Sequence, residues 1–288
     1  MKAEIKSFCL EYGYPEDSVQ TLLVEFDKLK KLECYPLFKA YVQQYNTDDT
    51  SFSYTTALMG MKGISAKTGL NEYTLVLLLF LCFAKHCREL YDEAQLPVKA
   101  YHDAMLDLKC KMLECHNVYG VWGTFVGSWF PRFFELSRFA LGRLQFEDDA
   151  AIEPYEKHGI KLNYGDWVIN THIPSGKPLD TEECLKSFRM AAEFFADRFP
   201  DGIAKFRCYS WLLADVNQKF LAPDTRIRKF ANLFDVVRTD PAPKGEDLWR
   251  IFGIPYEGTT EGFPEETSLQ RGYLKHKKKK KSLERGLG

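Results

Sequence analysis

At 288 residues, 45% of them hydrophobic and 27% charged, the chain has the size and balance of a globular protein of about two domains. Aromatic residues make up 15%, a content that excludes a disordered chain and favours well-filled cores. The formal net charge is −1, but it is unevenly spread: residues 263–288 hold eight Lys or Arg against Glu265, Glu266 and Glu284, so that segment is +5 and the remainder −6.

The opening Met1-Lys-Ala-Glu-Ile-Lys-Ser7 is charged and leads to Glu11, Glu16 and Asp17 instead of an apolar run, which predicts a cytoplasmic protein without an export signal. Apolar residues then recur at helical spacing, as in Val19, Leu22, Leu23, Phe26, Leu29 and Leu32, with breaks near Pro15, Pro36 and Thr47 to Ser51. The most apolar window, Leu75 to Ala84, is about half of the ~20 residues a membrane span needs. It is predicted as a buried helix, with Asn71 as its N-cap and Pro97 in the first turn of its successor.

The eight cysteines read as small core hydrophobes. Cys82 and His86 would share a helix face, and Cys110, Cys115 and His116 lie on the next helix. In a hairpin turning at Leu96-Pro97, Cys82 and Cys110 are level but Cys115 and His116 are displaced by more than a turn, so four ligands do not converge and no metal is expected.

A change of character follows Val118-Tyr-Gly-Val-Trp-Gly123. A helical pattern through Trp129, Phe133, Leu136 and Phe139 runs into Leu141-Gly-Arg-Leu-Gln-Phe-Glu147, whose period-two alternation predicts a half-buried strand. Gly159 to Leu162 and Asp166 to Ile173 flank the turn-rich Asn163-Tyr-Gly165 and are predicted to form an antiparallel hairpin. Along the second of these strands Val168, Asn170 and His172 share the more polar face, and Pro174 stops the ladder. Asp180 or Thr181 caps a predicted helix over residues 182–199, followed by a strand from Lys205 to Leu213 and a helix from about Asp224. The Lys275 to Lys281 run is predicted to be part of a solvated, disordered tail, in preference to a contact with nucleic acid or anionic lipid.

The segments Leu141 to Glu147, His172-Ile-Pro-x-Gly-x-Pro-Leu179, Phe194-Phe195, Phe199-Pro200 and Cys208-x-Ser-Trp-Leu-Leu213 resemble the bacterial acyltransferase-domain proteins. These join a helical N-terminal domain to a domain similar to the GCN5-related N-acetyltransferases (GNAT). The resemblance implies an α+β two-domain fold, with an all-α helical N-terminal domain at 1–117 and a GNAT-like mixed α/β domain at 118–262, ahead of the basic tail that the charge pattern marks at 263–288. This chain departs from the family pattern in having Ala214-Asp215 after Ser-Trp-Leu-Leu and Asp224-Thr-Arg-Ile227 near the next helix, and it lacks a glycine-rich pyrophosphate signature.

The activity implied is transfer of an acyl group from acetyl-CoA or another acyl-CoA to a small-molecule amine acceptor by direct attack, with no metal and no membrane. A GNAT-like scaffold that binds a ligand or protein partner without turnover is the alternative. The donor would lie between two diverging parallel strands, with its pyrophosphate near a helix N-terminus. Cofactor contacts would then come from Ile173, Pro174, Ser175, Gly176 and Lys177, with amides near Ile173 stabilising the oxyanion. His172 is the candidate base or water-orienting residue, Ser210 (or Tyr209) the proton donor to the thiolate, and Glu147 a second base candidate.

Overall fold

The computed structural model describes residues 1–242, 245, 247–278 and 283–288. Two compact units meet in sequence between Phe139 and Ala140, well beyond the change of character at Val118.

The first unit is helical: α1 (Lys2–Glu11), α2 (Glu16–Lys30), α3 (Tyr35–Asn46), α4 (Tyr54–Thr68), α5 (Glu72–Glu93), α6 (Val98–Tyr119) and α7 (Pro131–Phe134). Its centre is α5, on which every residue from Leu75 to Ala84 is buried; α1, α2, α3, α4 and α6 all pack against it. A helix apolar all round must be enclosed by others, which accounts for this arrangement. As expected, Asn71 caps α5, its side-chain oxygen accepting from the Tyr73 N–H at 2.8 Å and the Thr74 N–H at 3.4 Å. No helix among the described residues is long and apolar enough to cross a membrane.

The helix expected through Trp129, Phe133, Leu136 and Phe139 is broken into short pieces. Gly127–Trp129 is one 3-10 turn, Pro131 opens the four-residue α7, and Leu136 has φ +55°. Proline removes the amide a continuous helix needs. The Arg138 guanidinium then stacks 3.8 Å from the Trp129 ring centroid and donates to the Trp129 carbonyl at 2.8 Å, a local interaction that outweighs the apolar periodicity.

The strand β1 (Arg138–Leu141) runs across the boundary between the units, and the second unit goes on with β2 (Leu144–Ala150), β3 (Tyr155–Lys157), β4 (Ile160–Leu162), β5 (Trp167–His172) and α8 (Thr181–Phe194). It continues with β6 (Phe206–Arg207), β7 (Tyr209–Ser210), α9 (Asp215–Phe220), α10 (Arg226–Ala231), β8 (Arg238–Ala242), α11 (Leu248–Phe252), α12 (Ser268–Lys278) and β9 (Leu283–Leu287). One sheet has the order β1-β2-β5-β6, another β7-β9-β8, and β3 and β4 form a separate hairpin. The helix α8 covers one face of the first sheet, where Phe188 meets Phe146 of β2 at 5.8 Å and Phe206 of β6 at 4.8 Å.

Three expectations change here. The partner of β5 is β2, antiparallel with Phe146 opposite Thr171, while β4 pairs with β3 across His158-Gly159, both at positive φ. That tight turn is the better hairpin former, and the Asn163 to Gly165 turn only carries the chain onward. The strand expected from Lys205 to Leu213 breaks at Cys208 into β6 and β7, and Trp211–Leu213 is a 3-10 turn.

In place of a disordered tail, the described residues of 263–288 form α12 and β9. Tyr273 and Leu274 are buried beside Ala214, Val216, Leu248, Ile251 and Phe252, and β9 lies between β7 and β8. Counting lysines weighs the solvent side of α12 and overlooks the apolar pair that anchors it. Lys279, Lys280 and Lys281 lie outside the described residues.

Candidate active site

Strand parity places Gln145 and Glu147 of β2 with Asn170 and His172 of β5 on the sheet face opposite Phe146 and α8. The Glu147 side chain is 4% exposed and that of His172 20%. A buried carboxylate requires hydrogen-bond donors, and His172 and Asn170 both approach it. His172 Nε2 lies 2.8 Å from Glu147 Oε1, and the Asn170 side-chain amide donates to the same oxygen at 3.1 Å. This carboxylate fixes the tautomer, with the proton on Nε2 and the basic lone pair on Nδ1. His172 and Glu147, separately expected as candidates, are thus brought into direct contact.

Gln145, directly opposite His172 in the register, joins this face although it is not among the residues expected from the sequence. It is 1% exposed, and neither its amide nitrogen nor its oxygen has a hydrogen-bond partner among the described residues. Leaving such a buried group unsatisfied costs about 1–3 kcal/mol. The signal was present in the alternation of Leu141 to Glu147, which sets Gln145 on the same face as Glu147.

Ser210 stands on β7 in the second sheet. Its hydroxyl oxygen accepts from the Leu212 N–H at 3.2 Å and caps the 3-10 turn. Tyr209, the other hydroxyl considered, lies 6.0 Å from the Arg285 guanidinium, on the opposite strand face from Ser210.

The strands around these groups part. β5 and β6 run parallel at Ile169 opposite Phe206 and Asn170 opposite Arg207. At the next residue Cys208 turns to Gly288, its N–H donating at 2.7 Å and its carbonyl accepting at 3.0 Å, and β7 continues as the partner of β9. His172 therefore ends β5 where its parallel neighbour has left. Burial pushes the Cys208 thiol at this fork up to about 12, so it stays protonated at neutral pH.

From His172 the chain enters the Ile173 to Leu179 loop, in which Gly176 has φ +95°, a conformation open to glycine at no steric cost. Ser175, Gly176 and Lys177 are exposed, and their N–H groups have no acceptor among the described residues. The adjoining helix end is a different matter. Asp180 caps α8 by accepting from the Glu182 and Glu183 N–H groups at 3.0 and 3.3 Å, and Glu182 and Glu183 occupy its first turn. The helix terminus itself is already satisfied and carries negative charge; the open donors belong to the loop before it. Beside it, a cavity of about 600 Å³ is lined by Asp180, Thr181, Asp224, Arg226, Lys229 and Ser268, among others.

The fold resembles solved acyltransferases. A mutant acyltransferase in complex with octanoyl-CoA aligns with a TM-score of 0.75 at 17% identity, covering 99% of this chain and 87% of that one. An acyltransferase in complex with decanoyl-CoA and teicoplanin aligns with a TM-score of 0.64 at 18% identity, covering 99% and 98%. At these identities the likeness is one of fold. No curated protein matches the chain. The family model for the N-acyltransferase N-terminal domain matches residues 3–136, and that for the GNAT-like C-terminal domain matches residues 138–288. With both domains matched in order over nearly its whole length, the chain belongs to the acyltransferase family that joins this helical N-terminal domain to a GNAT-like C-terminal domain.

Proposed function

We propose that this protein transfers an acyl group from acyl-CoA to an amine acceptor by direct attack. The observation that carries the reading is the fork at which β5 parts from β7, with the His172–Glu147 pair at the end of β5 and a loop of open amides immediately after it. A thioester held between the parting strands would expose its carbonyl carbon beside His172. Octanoyl-CoA, decanoyl-CoA and teicoplanin in complexes of the structural neighbours support acyl-CoA as donor and a small molecule as acceptor.

The residues divide the work as follows. Ser175, Gly176 and Lys177 supply amides, and Lys177 a cation, to the pyrophosphate, while Pro174 holds the loop turned out of the sheet. Arg226 and Lys229, in the neighbouring cavity, suit the nucleotide end. The acceptor nitrogen attacks the carbonyl carbon, forming the C–N bond. His172 takes the proton the nitrogen sheds, and Glu147 stabilises the resulting imidazolium.

The carbonyl oxygen gains charge opposite a backbone N–H near Ile173, a contact class worth about 10²–10³ in rate. As the C–S bond breaks, the thiolate takes a proton from Ser210, which is resupplied from solvent. Gln145, with both amide atoms unpaired, is suited to hold a polar group of the acceptor. Direct attack is favoured over an acyl-enzyme because burial holds the Cys208 thiol near 12 and the Cys184 thiol near 11.

The test is to incubate the protein with octanoyl-CoA and a panel of amines, following free thiol and acylated product by mass spectrometry. Amine-dependent release of one thiol per acylated amine is the expected result. Binding of coenzyme A with no turnover on any amine would favour the noncatalytic alternative.

A further inference from the structure

Arg143 lies in the turn between β1 and β2, distant in sequence from the Ile173 to Leu179 loop, yet its guanidinium is committed to that loop. Nε donates to the Pro178 carbonyl at 2.9 Å, Nη1 to the Pro174 carbonyl at 2.8 Å and Nη2 to the Lys177 carbonyl at 2.8 Å. The residue is 7% exposed, and its own backbone N–H is fixed by the Ser187 hydroxyl of α8 at 2.6 Å. A planar fork bound to three carbonyls of one loop fixes the orientation of three peptide planes at once.

That orientation has a consequence for the opposite edge of each plane. In a trans peptide the C=O and the following N–H point in opposite directions. Drawing in the carbonyl of Pro174 turns the Ser175 N–H away from Arg143, and drawing in that of Pro178 does the same for Leu179. The third peptide, between Lys177 and Pro178, has no N–H at all. Neither the Ser175 nor the Leu179 N–H has an acceptor among the described residues. The negative ends of these three peptides are thus gathered on a buried cation, and the N–H groups of Ser175 and Leu179 are directed away from it, the polarity an anion requires. The capped, acidic start of α8 cannot supply this.

We infer that Arg143 is a positioning residue for the pyrophosphate of coenzyme A: without touching the ligand, it holds the Pro174, Lys177 and Pro178 carbonyls inward and so sets the Ser175 and Leu179 amides outward. This rests on the proposal that the loop receives the donor's phosphates. Lysine cannot reproduce the effect, because one flexible ammonium cannot hold three carbonyls in a fixed fork.

The experiment is calorimetric titration of coenzyme A and of pantetheine, which lacks the phosphates, into the wild-type protein and the variants Arg143→Lys and Arg143→Gln, with thermal melts to establish folding. The wild type is expected to prefer coenzyme A to pantetheine by at least about tenfold. In Arg143→Lys that preference should shrink several-fold and in Arg143→Gln about tenfold, with pantetheine affinity unchanged. An unchanged preference in folded variants overturns the inference and leaves the loop as phosphate site intact. Equal weakening for both ligands also overturns it, because Arg143 would then serve the fold at large. No preference in the wild type overturns the phosphate site and the inference together. If Arg143→Gln does not fold, Arg143→Lys decides.

Discussion

At the scale of single residues, the proposed chemistry rests on Glu147 and His172. The carboxylate is buried and shared between the imidazole at 2.8 Å and the Asn170 amide at 3.1 Å, so its charge serves the imidazole and not the solvent. Glu147→Gln keeps the size and a hydrogen-bonding oxygen but removes the charge that stabilises an imidazolium. It is expected to lower kcat by roughly tenfold while the KM for acyl-CoA stays within about twofold. Steady-state kinetics check this, and a raised KM with unchanged kcat would place Glu147 in binding instead. His172 and Glu147 were legible in the sequence as polar strand residues, one before a proline and one ending a motif. Their mutual contact was not, since it depends on the antiparallel register of β2 and β5, which two strands apart in sequence do not announce. Gln145 was hidden for the same reason: its isolation follows from burial, which parity alone does not reveal.

At the scale of elements, the informative unit is β5, its loop and α8. Gly176 is the position where the loop turns outward with φ +95°. A glutamate there introduces both strain and a negative charge where phosphate is expected. Gly176→Glu should weaken coenzyme A binding by at least about tenfold in a calorimetric titration, and equal affinities would show that the ligand does not use this loop. The Asp180 cap and the α8 stripe were readable because capping and helical periodicity are local. The hairpin was misassigned because two turn signals competed, and the His158-Gly159 turn won through its two positive φ values. The break at Cys208 is set by the distant Gly288, and no local pattern encodes it.

At the scale of the whole molecule, the basic C-terminal segment changes its standing. The described part of 263–288 contributes buried Tyr273 and Leu274 to one core and the middle strand of a sheet. Gly286 of that strand sits so close to its neighbour that an added Cβ would clash with the Leu213 carbonyl. Ending the chain at Gly262 is therefore expected to abolish the cooperative unfolding of the second unit, seen by calorimetry as loss of a transition. A truncated protein with the original melting profile would mean that the segment is the dispensable tail its charge suggested. The division into a helical and a mixed unit was visible in the change from period 3.6 to period 2. Its position, after Phe139, was obscured by the short pieces around Pro131.

The proposed chemistry depends on the imidazole at the end of β5. The decisive measurement is the rate of amine-dependent thiol release from octanoyl-CoA by wild-type and His172→Ala protein at saturating donor. Loss of at least about tenfold in kcat, with the fold and coenzyme A affinity retained, is the expected result. Unchanged turnover in the variant would remove His172 from the reaction and contradict the assignment of this strand end as the catalytic centre.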